Sequence, residues 1–126
     1  MARVLVVDDS KDTVDTTIAL LGMAGHTGIA CYSGPEAMDR VREFDPDVVL
    51  LDIRMPDKDG WAVAKEIRES VPGKRPTLIA ITGEHPRDGQ AGRLAQAVGF
   101  DYFLAKPVDP NELLALIEKA AKRNPG

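Results

Sequence analysis

Val48-Val49-Leu50-Leu51-Asp52 is the stretch that decides the fold. Consecutive apolar residues with no polar alternation describe a strand covered on both faces, the situation of a strand inside a parallel sheet flanked by helices. The run stops at a carboxylate. Leu78-Ile79-Ala80-Ile81 has the same character and runs into Thr82-Gly83. Further out, Val4-Leu5-Val6-Val7 runs into Asp8-Asp9, and Phe103-Leu104-Ala105 runs into Lys106-Pro107. With a shorter run after residue 27, candidate strands lie at 3–8, 28–32, 47–52, 76–82 and 101–105.

Between these runs the apolar period lengthens to that of a helix: Val14, Ile18 and Leu21, then Ala37 with Val41, then Val63 with Ile67. The last helix carries Leu113, Leu116, Ile117 and Ala120. Ser33-Gly34-Pro35-Glu36 opens the second helix with a capping residue, and Asp109-Pro110-Asn111-Glu112 opens the last with a cap, an early Pro and an acid. Gly73 and Gly99 stand where the third and fourth helices end. Strand–helix alternation of this kind predicts an α/β, doubly wound, five-stranded parallel sheet. In the flavodoxin-like order 2-1-3-4-5 the switch point lies between strands one and three, and ligands bind outside the carboxyl ends there. Asp8, Asp9 and Asp52 sit at those two ends.

At 126 residues the chain is one domain, 1–123 with a loose Asn124-Pro125-Gly126 tail. That length buries roughly two thirds of the unfolded surface. A net charge of −4 and the lack of any Lys/Arg run speak against a nucleic-acid or anionic-membrane surface. Cys31 is the single cysteine, so no disulfide framework exists, and it reads as a small buried hydrophobe in a reducing compartment. The apolar stretch before Asp8 is too short for a signal peptide or a membrane span. These features predict a soluble, cytoplasmic protein. His26 and His85 are isolated and read as surface residues, and Trp61 as a packing residue at the start of the third helix.

Three carboxylates gathered at one sheet edge repel one another, and a Mg²⁺ ion relieves that repulsion with oxygen ligands. Lys106 brings a second cation to the same edge. Thr82 offers a hydroxyl to a phosphoryl oxygen, and Gly83 leaves that oxygen room to approach. A carboxylate can be a covalent nucleophile, and Asp52, on the middle strand of the cluster, is best placed for in-line attack. Metal and ammonium would neutralise the transferring group, the main demand of phosphoryl transfer.

Together, Val6-Val7-Asp8-Asp9-Ser10, Leu51-Asp52-Ile53-Arg54-Met55-Pro56 with Asp59-Gly60, Ile81-Thr82-Gly83 and Lys106-Pro107 make a specific set. In these pieces the chain resembles the CheY-like receiver domain of two-component response regulators over essentially its full length. The resemblance implies that Asp52 is the phospho-acceptor and that Asp9 and Asp52 ligate Mg²⁺ directly. Asp8 would act mostly through a bound water, and the backbone carbonyl of Arg54 would complete the protein ligands. Thr82 and Lys106 would contact the phosphoryl group, and Phe103 would be the aromatic that reports activation. Lys106-Pro107 would be a cis peptide, which only X-Pro bonds adopt cheaply. The implied function is to take a phosphoryl group from a histidine kinase or histidine phosphotransfer protein, with self-catalysed transfer and autodephosphorylation, and to switch partner binding.

Several positions depart from the family pattern. Phe103 lacks the hydroxyl of the commoner Tyr, so packing alone holds its inward state. Arg54 and Glu84 line the entrance, placed to pair across it. The stretch from Glu84 to Gln90 is longer than in most relatives, and Phe100 replaces a small residue. The run from Gly89 to Val98 holds two glycines and little apolar bulk, which predicts a pliable fourth helix. A haloacid-dehalogenase-type phosphohydrolase is the enzyme alternative, but it wants its nucleophile at the end of strand one and a second acid two residues later. A flavin-binding module would meet repulsion from Asp8, Asp9 and Asp12. A free-standing regulator and a receiver belonging to a hybrid kinase both remain open at this stage.

Overall fold

The computed structural model describes residues 2–55, 58–70, 76–83 and 99–123. Within them run β1 (Arg3–Val7), α1 (Lys11–Met23), β2 (Thr27–Cys31), α2 (Gly34–Phe44), β3 (Val48–Asp52), α3 (Gly60–Ser70), β4 (Thr77–Thr82), β5 (Tyr102–Ala105) and a C-terminal helix (Pro110–Arg123). All strand pairings are parallel, and the order is β2-β1-β3-β4-β5, as the apolar runs and the switch-point argument predict. The expected fourth helix, the helix end at Gly73, and Glu84 and His85 lie outside the described residues.

Strand alternation divides the core into two layers. Leu5, Val7, Val49, Leu51, Leu78 and Ala80 point to the side covered by α2 and α3, where Ala37, Val41, Val63 and Ile67 meet them. Val4, Val6, Val48, Leu50 and Ile79 point to the other side, against Val14 and Leu21 of α1 and Leu113, Ile117 and Ala120 of the C-terminal helix. Each fully buried Leu or Ile contributes about 1.5–3 kcal/mol. Because both faces are occupied, β3 is apolar throughout until Asp52.

Helix starts follow the local sequence. Ser10 Oγ accepts the Thr13 amide, Asp59 Oδ1 the Ala62 amide at 2.9 Å, and Asp109 Oδ1 the Asn111 amide at 2.8 Å. Ser33 occupies the N-cap of α2 but makes no side-chain capping bond. Instead its carbonyl accepts from the Cys31 thiol at 3.2 Å. Cys31 itself is buried, as expected of a small hydrophobe, and burial raises its thiol pKa.

His26 departs from its sequence reading: it is 5% exposed rather than on the surface. Its Nδ1 accepts the buried Ala2 amide at 3.0 Å, and Nε2 lies 3.3 Å from Glu118 Oε1 of the C-terminal helix. The buried amide of Ala2, the residue before β1, needs an acceptor there, and the imidazole provides one.

Candidate functional site

Strand register builds the site. Val7 pairs with Leu51, so the next residues, Asp8 and Asp52, leave β1 and β3 side by side. Thr82 ends β4 one step beyond Ile81, the partner of Asp52, and pairs with Ala105, after which Lys106 leaves β5. Backbone hydrogen bonds carry this alignment past the strand ends: Ile53 N–H to Ile81 O at 3.0 Å and Lys106 N–H to Thr82 O at 2.8 Å. The Lys106-Pro107 peptide is cis.

Carboxylate oxygens of Asp8, Asp9 and Asp52 lie within 4.8 Å of one another. Asp8 and Asp52 are buried and Asp9 is exposed. Lys106 Nζ stands 3.3 Å from Asp52 Oδ1, with its own side chain 42% exposed. Thr82 is buried at the neighbouring strand end. Arg54 is exposed, and its amide donates to Asp52 Oδ1 at 3.3 Å. Burial pushes the Asp8 carboxyl up to about 6. The Ser10 amide, 2.9 Å from Asp8 Oδ1, pulls it back, the charge of Asp52 pushes it up, Lys106 lowers it and Asp9 raises it. A carboxyl held that high records first its burial, with the two neighbouring acids adding to the cost of its charge.

Phe103 is half-buried in an aromatic cluster with Trp61 and the buried Phe100. Its ring is 6.5 Å from Trp61 and 6.3 Å from Phe100, and Trp61 meets Phe100 edge-on at 5.6 Å. Trp61 thus packs at the start of α3, as its sequence position suggests. The Arg54–Glu84 pairing falls outside the described residues. One support escaped the sequence reading, the Ser10 amide that holds Asp8; Gly60, in the Asp59-Gly60 pair that the sequence singles out, supports the site by a close backbone approach. A Cβ on Gly60 would lie 2.5 Å from the Asp52 carbonyl oxygen, and the Gly60 amide donates to Ile53 O at 2.9 Å. An acid followed two residues later by a free amide is the pattern of an Asx turn, which flags Ser10. Close backbone approach at Gly60 has no such local signature.

The donor set fits Mg²⁺. It offers hard oxygen atoms, no imidazole or thiolate, two buried carboxylates and excess negative charge. An open parallel sheet with an acidic pocket at its switch point and a lysine facing the central carboxylate defines a class of flavodoxin-like signalling domains. The family model described as the response regulator receiver domain matches residues 4–118, and the chain belongs to that family. Solved structures agree. The Vibrio cholerae chemotaxis protein CheY4 superposes with a TM-score of 0.87 at 28% identity, covering 95% of this chain and 98% of its own. A receiver domain protein from Clostridium thermocellum gives 0.86 at 29% identity over 98% and 96%. The response regulator domain of Thermotoga maritima CheB gives 0.83 at 26% identity over 95% and 96%. Members of the family are signalling phospho-acceptors that bind Mg²⁺ at an acidic pocket. No helix among the described residues is long and apolar enough to cross a membrane.

Proposed function

We propose that Asp52 accepts a phosphoryl group from the phosphohistidine of a histidine kinase or phosphotransfer protein, and that the phosphorylated domain exchanges protein partners. The observation that carries this reading is the buried Asp52 carboxylate, 3.3 Å from Lys106 and within 4.8 Å of two further acids. One Asp52 oxygen forms the new P–O bond while the donor P–N bond breaks and its electron pair returns to the imidazole. Attack of water on the acyl phosphate later restores the carboxylate and releases phosphate.

Asp9 and Asp52, Asp8 through a water, and the Arg54 carbonyl would hold Mg²⁺. When bound, the ion supplies positive charge beside the transferring group. Lys106 holds the side of the phosphoryl group facing β5, and the Thr82 hydroxyl donates to one of its oxygens. Phe103 then senses the displacement of Thr82 by repacking within its aromatic cluster. A groove of about 460 Å³ opens beside the pocket, walled by Thr13, Thr17 and Leu20 of α1 and by Val108 and Leu113, and gives a protein partner a seat next to Asp8 and Lys106. The functional unit spans residues 1–123. Its acidic balance favours protein partners over nucleic acid, and its single reduced cysteine suits the cytoplasm.

The hydrolase alternative needs its nucleophile on β1, whereas the carboxylate in contact with Lys106 is on β3. Acetyl phosphate with Mg²⁺ should give one phosphoryl adduct by intact mass, absent in Asp52→Asn and after chelation. An equal adduct on the Asn variant would sink the assignment.

A further inference from the structure

A long stretch of this chain carries no charge, and the fold gathers it on one flank. From Thr16 to Pro35 there is no Asp, Glu, Lys or Arg, in a chain whose residues are 29% charged. The stretch holds the second half of α1, all of β2 and the start of α2. β2 is an edge strand, and α1 lies over it, with Ile18 3.1 Å from the Cβ that Gly28 lacks. Ala19, Gly22 and Thr27 are exposed. So are Met23 and Tyr32, at 87% and 40% the two exposed large hydrophobic side chains among the described residues. A surface that faces only water ordinarily mixes charges of both signs. This flank does not.

The backbone of the edge is open as well. Thr27 N–H donates to Ala2 O at 3.0 Å, and Asp8 N–H donates to Cys31 O at 3.0 Å. Thr27, Ile29 and Cys31 therefore turn their backbone groups toward β1. By the alternation of a strand, Gly28 and Ala30 turn theirs outward: two N–H and two C=O groups with no strand beyond them. Folded proteins blunt such an edge with Lys, Pro, a bulge or an inward-pointing charge. Thr27-Gly28-Ile29-Ala30-Cys31 has none of these, and its register against β1 is unbroken. Gly28 and Ala30 also carry the smallest side chains, which leave the outward groups unscreened.

We propose that the β2 edge is a docking surface for a second copy of this chain, paired antiparallel about a two-fold axis at Ile29. The inference does not depend on Asp52 being the phospho-acceptor. The axis sets Gly28 of one protomer opposite Ala30 of its partner, and the reverse, so every outward N–H meets an outward C=O. Ile29 faces its own copy in the pair between them, where side chains approach most closely, and covers there the part of its surface that the core leaves open. Tyr32, whose hydroxyl stands 3.5 Å from Asp15 on the α1 side, lies beside the start of the partner's β2. Charge selects the same flank. Each copy carries a net −4, and only across an uncharged surface do two such copies meet without opposing like charges. A strand from another protein would find the same backbone groups but not the self-matching Ile29. The antiparallel arrangement points the two acidic pockets in opposite directions and leaves both open.

Sedimentation velocity of the metal-free protein between about 10 µM and about 1 mM should show the mass rising from 13.6 kDa toward twice that value, as a small interface predicts. Amide hydrogen exchange by NMR at the same two concentrations locates the contact. The Gly28 and Ala30 amides should exchange about 3- to 5-fold more slowly at the higher concentration, while those of Thr27, Ile29 and Cys31, already bonded to β1, should not change. Ala30→Pro removes one outward N–H per copy without touching the β1 ladder, and should weaken association by about 10-fold or more. Gly22→Glu, at an exposed position where an added Cβ meets nothing within 4 Å, charges the flank and should weaken association by about 3-fold. It decides together with the exchange pattern if circular dichroism shows that Ala30→Pro does not fold. A parent that stays monomeric at about 1 mM overturns the inference, whatever other strand pairs with this edge. So does a dimer in which the Gly28 and Ala30 amides exchange as fast as in the monomer, or one that folded Ala30→Pro or Gly22→Glu leaves equally tight.

Discussion

The two ends of the sheet use the same residue types to opposite effect. At the amino ends, Arg68, Asp101 and Asp47 are matched. Asp101 Oδ2 receives Arg68 Nη2 at 2.8 Å and the Leu78 amide at 2.9 Å, while the same guanidinium donates to the carbonyls of Pro76 and Gly99. Asp47 receives the Arg3 amide at 2.9 Å, and its backbone bonds Arg3 and Thr77. At the carboxyl ends, Asp8, Asp9 and Asp52 face one another and Lys106, and one of them is pushed to about 6. One end closes the fold; the other keeps electrostatic stress that a cation and a phosphoryl group can relieve. Paired charges stabilise where they are and need nothing further, so a binding site is found where pairing stops.

Removing a partner at the matched end should have the largest effect. Arg68 and Asp101 are each 15% exposed, and Arg68→Ala leaves a largely buried carboxylate and two carbonyls short of donors. We expect a loss of about 3 kcal/mol in urea unfolding, the low end for a broken buried pair. A loss under about 1 kcal/mol would show that the amino end does not depend on its pairing.

At the stressed end the sign reverses, and removing a charge should stabilise. The native Asp8 carboxyl titrates near 6 against an ordinary value of 3.8. Below the ordinary value the group is protonated in native and unfolded chains alike, and its stabilising contribution relative to high pH is fully present. As pH rises through the native value the buried group must ionise, and that contribution is lost. Metal-free Asp8→Asn should therefore match the parent below about pH 4 and exceed it above about pH 7, by about 1–2 kcal/mol. A gain that is equal at every pH would assign the effect to something other than ionisation.

Mg²⁺ offers the same relief without a mutation. At ten times its dissociation constant, the ion should add about 1.4 kcal/mol to the unfolding free energy by mass action. Asp9→Asn should remove most of that gain while raising metal-free stability. Melting curves indifferent to Mg²⁺ would remove the electrostatic contrast between the two ends.

The stressed end was legible in the sequence and much of the matched end was not, for a physical reason. Each site residue terminates an apolar run, so the run that reveals the strand also locates the side chain. Val48–Asp52 gives Asp52 its place in the sheet before any contact is known, and the switch point then brings Asp8 and Asp9 alongside. Arg68 reads as one of many solvated charges on a helix, because its partners at Pro76, Gly99 and Asp101 are assembled only by the fold. The burial of His26 is hidden for the same reason: its partner, the Ala2 amide, is brought to it only by the fold. The need for glycine at Gly34 does not show in the sequence, because it is set by a backbone that approaches from elsewhere in the chain.

The smallest effect concerns what finishes the amino end, charge or hydrogen bonding. His26 Nε2 lies 3.3 Å from Glu118 Oε1, but the Glu118 side chain is 60% exposed. Water solvates that carboxylate with or without the imidazole, so the pair gains little from its proximity. The Ala2 amide, by contrast, is buried and has Nδ1 as its acceptor at 3.0 Å. The imidazole thus ties down the chain just before β1 through Nδ1, while Nε2 makes no hydrogen bond to the C-terminal helix. Glu118→Gln keeps an oxygen near Nε2 and removes only the charge. We expect a change under about 0.5 kcal/mol, and His26→Ala to cost several times more because the Ala2 amide loses its acceptor and the core gains a cavity. If Glu118→Gln instead cost as much as His26→Ala, the amino end would be held by charge after all, and the contrast with the phospho-acceptor end would be one of geometry alone.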